Sequence, residues 1–73
     1  MATIYISPVQ QVKLGINIGL GGEINRAIKN AIADQDEFYA TVKIQGVSVV
    51  VFNDDANSAD GWFVDINKSL KAN

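Results

Sequence analysis

Residues 38–52, FYATVKIQGVSVVVF, predict a β-hairpin, and this hairpin decides the class of the fold. Side chains alternate in character along both halves, with the period of two that is typical of strands with one buried face. Gln45-Gly46 lies between the halves, where a two-residue turn containing glycine is typical of hairpins. This turn fixes which residues are cross-strand neighbours. One face of the hairpin would carry the pairs Ile44–Val47, Val42–Val49 and Ala40–Val51. The other face would carry the pairs Lys43–Ser48, Thr41–Val50 and Tyr39–Phe52.

Two further strands are predicted near the N-terminus. Residues 3–7, TIYIS, alternate in the same way, and Pro8 should end that strand because proline has no N–H for the ladder. Residues 12–18, VKLGINI, also alternate, with Gly15 as a weak point in the strand interior.

The spacing of apolar residues predicts two helices. After the glycine-rich turn at residues 19–22, isoleucines recur every four residues, which predicts a helix over about residues 23–33. A second helix is predicted over about residues 59–71, with Asn57 or Ser58 as its cap. Its apolar stripe would be Trp62, Phe63, Ile66 and Leu70.

The sequence therefore predicts one α+β domain over residues 1–73. Its order would be ββαββα, with a four-stranded, mainly antiparallel sheet and both helices on one face. The predicted core is Ile4, Ile6, Val12, Leu14, Ile16, Ile24, Ile28, Ile32, Val42, Ile44, Val47, Val49, Val51, Trp62, Phe63, Ile66 and Leu70.

The composition argues against catalysis, a resident metal or a cofactor. The chain contains no cysteine and no histidine, which removes disulfides, thiolate ligands and the commonest general base. The carboxylate pairs Asp36–Glu37 and Asp54–Asp55 fall in predicted exposed loops rather than in a cleft. The oxygen-bearing residues at 53–60 lack the glycine and the glutamate that a calcium loop needs at its sixth and twelfth positions. We therefore expect a protein that is not an enzyme and holds no cofactor.

Charge and hydropathy also narrow the classes of partner that we expect for this protein. The net charge is −2, and the six basic residues are scattered, so the basic patch of a nucleic-acid binder is missing. The longest apolar run, Val49–Phe52, is far too short to span a bilayer. The N-terminal residues lack the pattern of a signal peptide. These features favour a cytoplasmic protein with neither a nucleic-acid nor a membrane partner.

One predicted surface favours an interaction with another protein. The sheet face opposite the helices would carry Tyr5, Tyr39, Thr41, Val50 and Phe52, although a solvated sheet face is usually polar. The alternative is that these side chains only stabilise the strands by cross-strand pairing. The protein-binding residues predicted from the sequence are Tyr5, Tyr39, Thr41, Val50 and Phe52, together with the acidic Asp54 and Asp55.

The leading hypothesis is a non-enzymatic protein-binding module. Its small size, acidity and lack of catalytic motifs are typical of inhibitors from phages and mobile elements, which would act in the host cytoplasm by covering a surface. A homodimer or a higher oligomer over the same face is a further expectation. One alternative is an oligomer that binds an anionic ligand or nucleotide through the glycine turn, Arg26 and Lys29. Another is a single-strand nucleic-acid binder that stacks bases on Tyr5, Tyr39 and Phe52.

Overall fold

The computed structural model describes residues 2–28, 32–34, 37–53 and 61–73 of the chain. Within these residues the chain forms six strands and two helices. In chain order they are β1 (Ala2–Tyr5), α1 (Pro8–Leu14), β2 (Glu23–Arg26), β3 (Ile32–Asp34), β4 (Glu37–Ile44), β5 (Val47–Asn53), β6 (Gly61–Val64) and α2 (Ile66–Lys71). The α+β class predicted from the sequence is confirmed.

The strands form one mixed, curled sheet in the order β2-β1-β6-β5-β4-β3. Neighbouring strands are antiparallel except β1 and β6, which are parallel, with Ile4 beside Trp62. The sheet curls so far that Arg26 on β2, at one end of the strand order, donates a hydrogen bond to the carbonyl of Lys43 on β4. The apolar core lies inside this curl, where Ile4, Val49 and Val51 are fully buried.

The hairpin of β4 and β5 has the predicted register at every pair. Gln45 and Gly46 form its turn with φ values of 51° and 81°. Positive φ at both central residues gives the turn a twist that matches the right-handed twist of the flanking strands.

The predicted strand over residues 12–18 is wrong, because α1 occupies residues 8–14. Ser7 caps the helix by accepting a hydrogen bond from the Gln10 N–H, and the Gln10 side chain accepts one in return from the Ser7 N–H. Pro8 occupies the first turn, where its missing N–H costs nothing, and Gly15 ends the helix with φ 72°. β1 therefore ends at Tyr5, before the predicted stop at Pro8, and Pro8 begins a helix instead.

The predicted helix over residues 23–33 is also wrong. Glu23–Arg26 form β2, which pairs with β1 and places Ile24 opposite Ile4, and Ile32–Asp34 form β3 beside β4. Isoleucine is β-branched and is a weak helix former, so cross-strand packing outweighs the four-residue spacing.

The predicted helix over residues 59–71 divides into a strand and a shorter helix. Gly61–Val64 form β6, and α2 begins only at Ile66, with Asp65 as its N-cap through the Lys68 N–H. The expected caps Asn57 and Ser58 lie outside the described residues. The order ββαββα and the four-stranded sheet are therefore corrected, because the described residues form six strands and α1 lies between β1 and β2 in the chain. α2 packs against β5 and also contacts α1.

Most of the predicted core is confirmed. Val12, Phe63 and Leu70 are exceptions, since they are exposed. The side chain of Ile32 lies outside the described residues. Ala2, Ala40 and Val64 are buried but were not predicted. The predicted residues that are buried are Ile4, Ile6, Leu14, Ile16, Val42, Ile44, Val49, Val51 and Trp62, and Ile24, Ile28, Val47 and Ile66 pack against them while partly buried.

Polar side chains take the place of a neighbouring strand along part of β5. The Ser69 hydroxyl, fully buried, accepts a hydrogen bond from the Val50 N–H at 2.8 Å, and the Asp65 N–H donates to the Val50 carbonyl at 2.9 Å. The Asn73 amide pairs in the same way with the backbone of Ser48. In this manner α2 extends the position of β6 along β5 and satisfies backbone groups that would otherwise be unpaired.

Candidate interaction surface

Four aromatic rings form a row across four neighbouring strands on the outer face of the sheet. Tyr5 on β1 stacks on Phe63 of β6 with 5.5 Å between ring centroids. Phe63 lies 6.1 Å from Phe52 of β5, and Phe52 lies 6.0 Å from Tyr39 of β4. We call these four residues the aromatic row. Each residue belongs to the outward-pointing set of its strand, because its chain neighbours Ile4, Trp62, Val51 and Ala40 are buried.

The row is an exposed apolar surface. Phe63 is 47% exposed and Tyr5 is 40% exposed, whereas Phe52 and Tyr39 are half-buried. Thr41 and Val50, which pair directly on β4 and β5, lie on the same face beside the row. A phenylalanine this exposed on a sheet face is unusual unless another surface covers it, because solvent-facing sheet positions are normally polar.

The two ends of the row carry opposite charges. At the β1 end, Glu23 of β2 is the direct cross-strand partner of Tyr5, so both side chains share the outer face, and Glu23 is exposed. At the β4 end, the Lys68 ammonium lies 4.8 Å from the centre of the Tyr39 ring in a cation–π contact. An acid therefore lies at one end and a base at the other.

The structure brings together five of the seven predicted site residues: Tyr5, Tyr39, Thr41, Val50 and Phe52. Asp54 and Asp55 lie outside the described residues. Phe63 is the member of the row that the sequence analysis missed, because the pattern at residues 62–66 was assigned to a helix stripe. Alternation could have found it, since Trp62 and Val64 point inward and Phe63 between them points outward.

A second exposed apolar surface lies beside the β1 end of the row. Val9 and Val12 on α1 and Leu20 in the following loop are exposed, and Leu20 is 94% exposed. A shallow depression lined by Tyr5, Phe63, Pro8 and Leu20 joins this surface to the row. Apolar side chains thus continue from the sheet face onto α1.

The glycine turn does not have the geometry of a phosphate loop. Residues 19–22 lead into β2 and not into a helix, so no helix N-terminus points at them. Gly22 has φ 64°, and its Cα lies so close to Ile6 that an added Cβ would approach the Ile6 carbonyl oxygen to 2.5 Å. The Arg26 guanidinium donates to the Lys43 carbonyl, and Lys29 lies outside the described residues. Gly22 therefore serves a close approach to the backbone of Ile6 rather than the binding of an anion.

The described part of the chain holds no group of three or more acidic, histidine or cysteine side chains that could bind a metal ion. Its buried side-chain nitrogen and oxygen atoms all have hydrogen-bond partners. Gln11 is an example, since its amide donates to the Ile6 and Gly19 carbonyls and accepts from the Ile18 N–H. Its polar groups are thus occupied in holding the loop after α1.

Comparisons with known proteins found no match to a family model, to a curated protein or to a solved structure. None of the helices in the described residues is long and apolar enough to cross a membrane. The surface itself is therefore the basis for a functional assignment.

Proposed function

We propose that this protein is a non-enzymatic protein-binding module that binds through the aromatic row. The observation that carries the proposal is the line of four contacting rings with Phe63 half-exposed at its centre. Aromatic residues are enriched at protein interfaces because they bury a large apolar area at a small cost in side-chain entropy. Binding at such a surface requires no reactive group.

The spacing of the rings favours a protein partner over a stacked nucleic acid. A base stacks on an open ring face. Here neighbouring rings contact one another at centroid separations of 5.5–6.1 Å, which leaves no space for a base between them. The Tyr39 ring is in addition in contact with Lys68. The row thus offers a continuous apolar strip of the kind found at the well-packed centre of a protein interface.

The more specific function of an inhibitor that covers a surface of a host protein stays a proposal within this one. In that function the row would supply the apolar anchors, and the acidic residues Asp54 and Asp55 would supply charge complementarity to a basic surface.

A matched pair of variants tests the proposal. Tagged wild-type protein, Phe63→Thr and Val12→Thr would be used as baits in a lysate of the source organism, after circular dichroism has shown that all three are folded. Both variants replace an exposed apolar side chain with threonine, but only Phe63 belongs to the row. We expect wild type and Val12→Thr to retain the same protein, which could be an untagged second copy, and Phe63→Thr to lose it.

Equal retention by all three baits would overturn the assignment of the row. Retention of single-stranded DNA or RNA, lost in Phe63→Thr, would overturn the choice of a protein partner.

A further inference from the structure

We propose that the partner of the aromatic row is a second copy of this chain, bound face to face about a two-fold axis that crosses the middle of the row. The inference rests on the proposed function and names the occupant of the same surface. Two properties of the row carry it, namely the order of its residue types and the charges at its ends.

The order of residue types is the same from either end. Across β1, β6, β5 and β4 the row contains Tyr5, Phe63, Phe52 and Tyr39, so tyrosines lie at both ends and phenylalanines at the centre. A two-fold interface requires a surface that is complementary to itself after a half-turn. With the axis between the two phenylalanines, Phe63 faces Phe52 of the other copy, and Tyr5 faces Tyr39. Each side chain of the row is therefore placed opposite a side chain of the same type.

The charges satisfy the same symmetry. Glu23 lies beside Tyr5 at one end, and Lys68 lies over Tyr39 at the other. A half-turn about an axis perpendicular to the row, in the plane of the interface, brings each Glu23 to the Lys68 of the other copy. Two equivalent ion pairs then flank the apolar centre. An axis along the row would instead place like charges together, so the charges select one of the two face-to-face arrangements.

The size of the chain favours such an association. Small domains gain stability from disulfides, metals or oligomerisation, and this chain of 73 residues contains no cysteine. Dimerisation through the row would cover the exposed Phe63 and Tyr5.

Charge reversal at the ends of the row provides a specific test. Sedimentation velocity would be measured over a wide range of concentrations for wild type, Phe63→Thr, Glu23→Lys, Lys68→Glu and the double variant. Lys13→Glu serves as the control, because Lys13 also lies in the last turn of a helix but not beside the row. Circular dichroism would confirm that each variant is folded.

We expect wild type and Lys13→Glu to dimerise with equal affinity. Each single reversal turns two attractive pairs into two repulsive ones and should weaken the dimer roughly tenfold or more. The double variant should recover wild-type affinity. An equimolar mixture of the two single variants should form a heterodimer, because both of its ion pairs are then restored.

The outcomes separate this inference from the proposed function. Wild-type protein that stays monomeric at every concentration overturns the dimer, while the bait experiment still decides whether the row binds another protein. A dimer that Phe63→Thr does not weaken uses another surface and overturns the inference. A dimer that is lost in Phe63→Thr but insensitive to both charge reversals overturns the two-fold arrangement.

Discussion

Asn73 pairs with the backbone of Ser48 as a residue of a neighbouring strand would. Its amide oxygen accepts a hydrogen bond from the Ser48 N–H at 3.0 Å, and its amide nitrogen donates to the Ser48 carbonyl at 2.8 Å. One helical turn earlier, Ser69 bonds to the backbone of Val50. The two side chains are four residues apart on one side of the helical end, and they reach alternate residues of β5.

Removing these side chains should destabilise the protein in a defined order. Ser69→Ala leaves the partly buried Val50 N–H without the fully buried hydroxyl that it donates to, which should cost about 1–3 kcal/mol. Asn73→Ala exposes its partners to water and should cost at most about 1 kcal/mol. Lys71→Ala, between them, is the control. Urea unfolding measures all three, and equal midpoints for Ser69→Ala and Lys71→Ala would contradict the role of Ser69.

Adjacent charges on β5 should have opposite effects on folding and association. Val49 is fully buried, so Val49→Glu should unfold the protein. Val50 is half-buried on the outer face beside the row, so Val50→Glu should keep the fold at a modest cost and weaken association strongly. Circular dichroism reports the fold, and light scattering on a sizing column reports association. Normal association of a folded Val50→Glu would argue that this face only stabilises the strands.

Gln45 combines backbone strain with a pair of hydrogen bonds. Its φ is 51°, and its side-chain amide accepts from the Asn17 N–H at 2.9 Å and donates to the Asn17 carbonyl at 2.8 Å. Gln45→Ala and Gln45→Gly both remove these bonds, but only glycine relieves the left-handed backbone. The alanine variant should therefore be less stable than the glycine variant by about 1 kcal/mol. Thermal unfolding of the two variants measures the difference, and the reverse order would be inconsistent with this turn geometry.

A comparison of Gly22 with Gly15 distinguishes the cost of a steric contact from the cost of an unfavourable backbone conformation. Their φ values are similar, at 64° and 72°, but an added Cβ would meet the Ile6 carbonyl only at Gly22. Gly15→Ala should therefore cost about 1 kcal/mol for conformation alone. Gly22→Ala should cost clearly more, because it also forces apart the segment in which the Ile6 N–H donates to the Gly22 carbonyl at 2.7 Å. Chemical denaturation measures the loss of unfolding free energy in each alanine variant. Equal losses would show that the backbone at Ile6 moves away from the added Cβ without a cost in stability.

The parts of the fold that were predictable are those fixed by local pattern. The β4–β5 hairpin follows from alternation and a two-residue turn, and with it the placement of Tyr39, Thr41, Val50 and Phe52 on one face. The placement of these residues follows from the sequence of the hairpin alone.

The errors arose where one pattern fits two structures. Residues 12–18 alternate in sequence although Val12, Lys13 and Leu14 belong to α1 and residues 15–18 belong to no helix or strand. Only the Ser7–Gln10 cap with Pro8 distinguishes a helix there. Trp62 and Phe63 are adjacent on β6, which pairs with β1 and β5. Alternation over residues 61–64 gives the outward orientation of Phe63, but the pairing that places it between Tyr5 and Phe52 depends on distant residues and does not follow from a local pattern.

The parallel pairing of β1 with β6 has a consequence for how the protein folds. Ile4 lies beside Trp62, so this contact closes a very long loop of chain, whereas the β4–β5 hairpin joins residues that are close in sequence. Forming a contact between residues far apart in sequence costs loop-closure entropy before the contact contributes stability, so such contacts slow folding. We therefore expect the hairpin to form early on the folding pathway and the β1–β6 seam to form last. During synthesis, β2 can pair with one edge of β1 early, but the other edge would stay unpaired until β6 has left the ribosome, with Ile4 accessible to chaperones in the meantime.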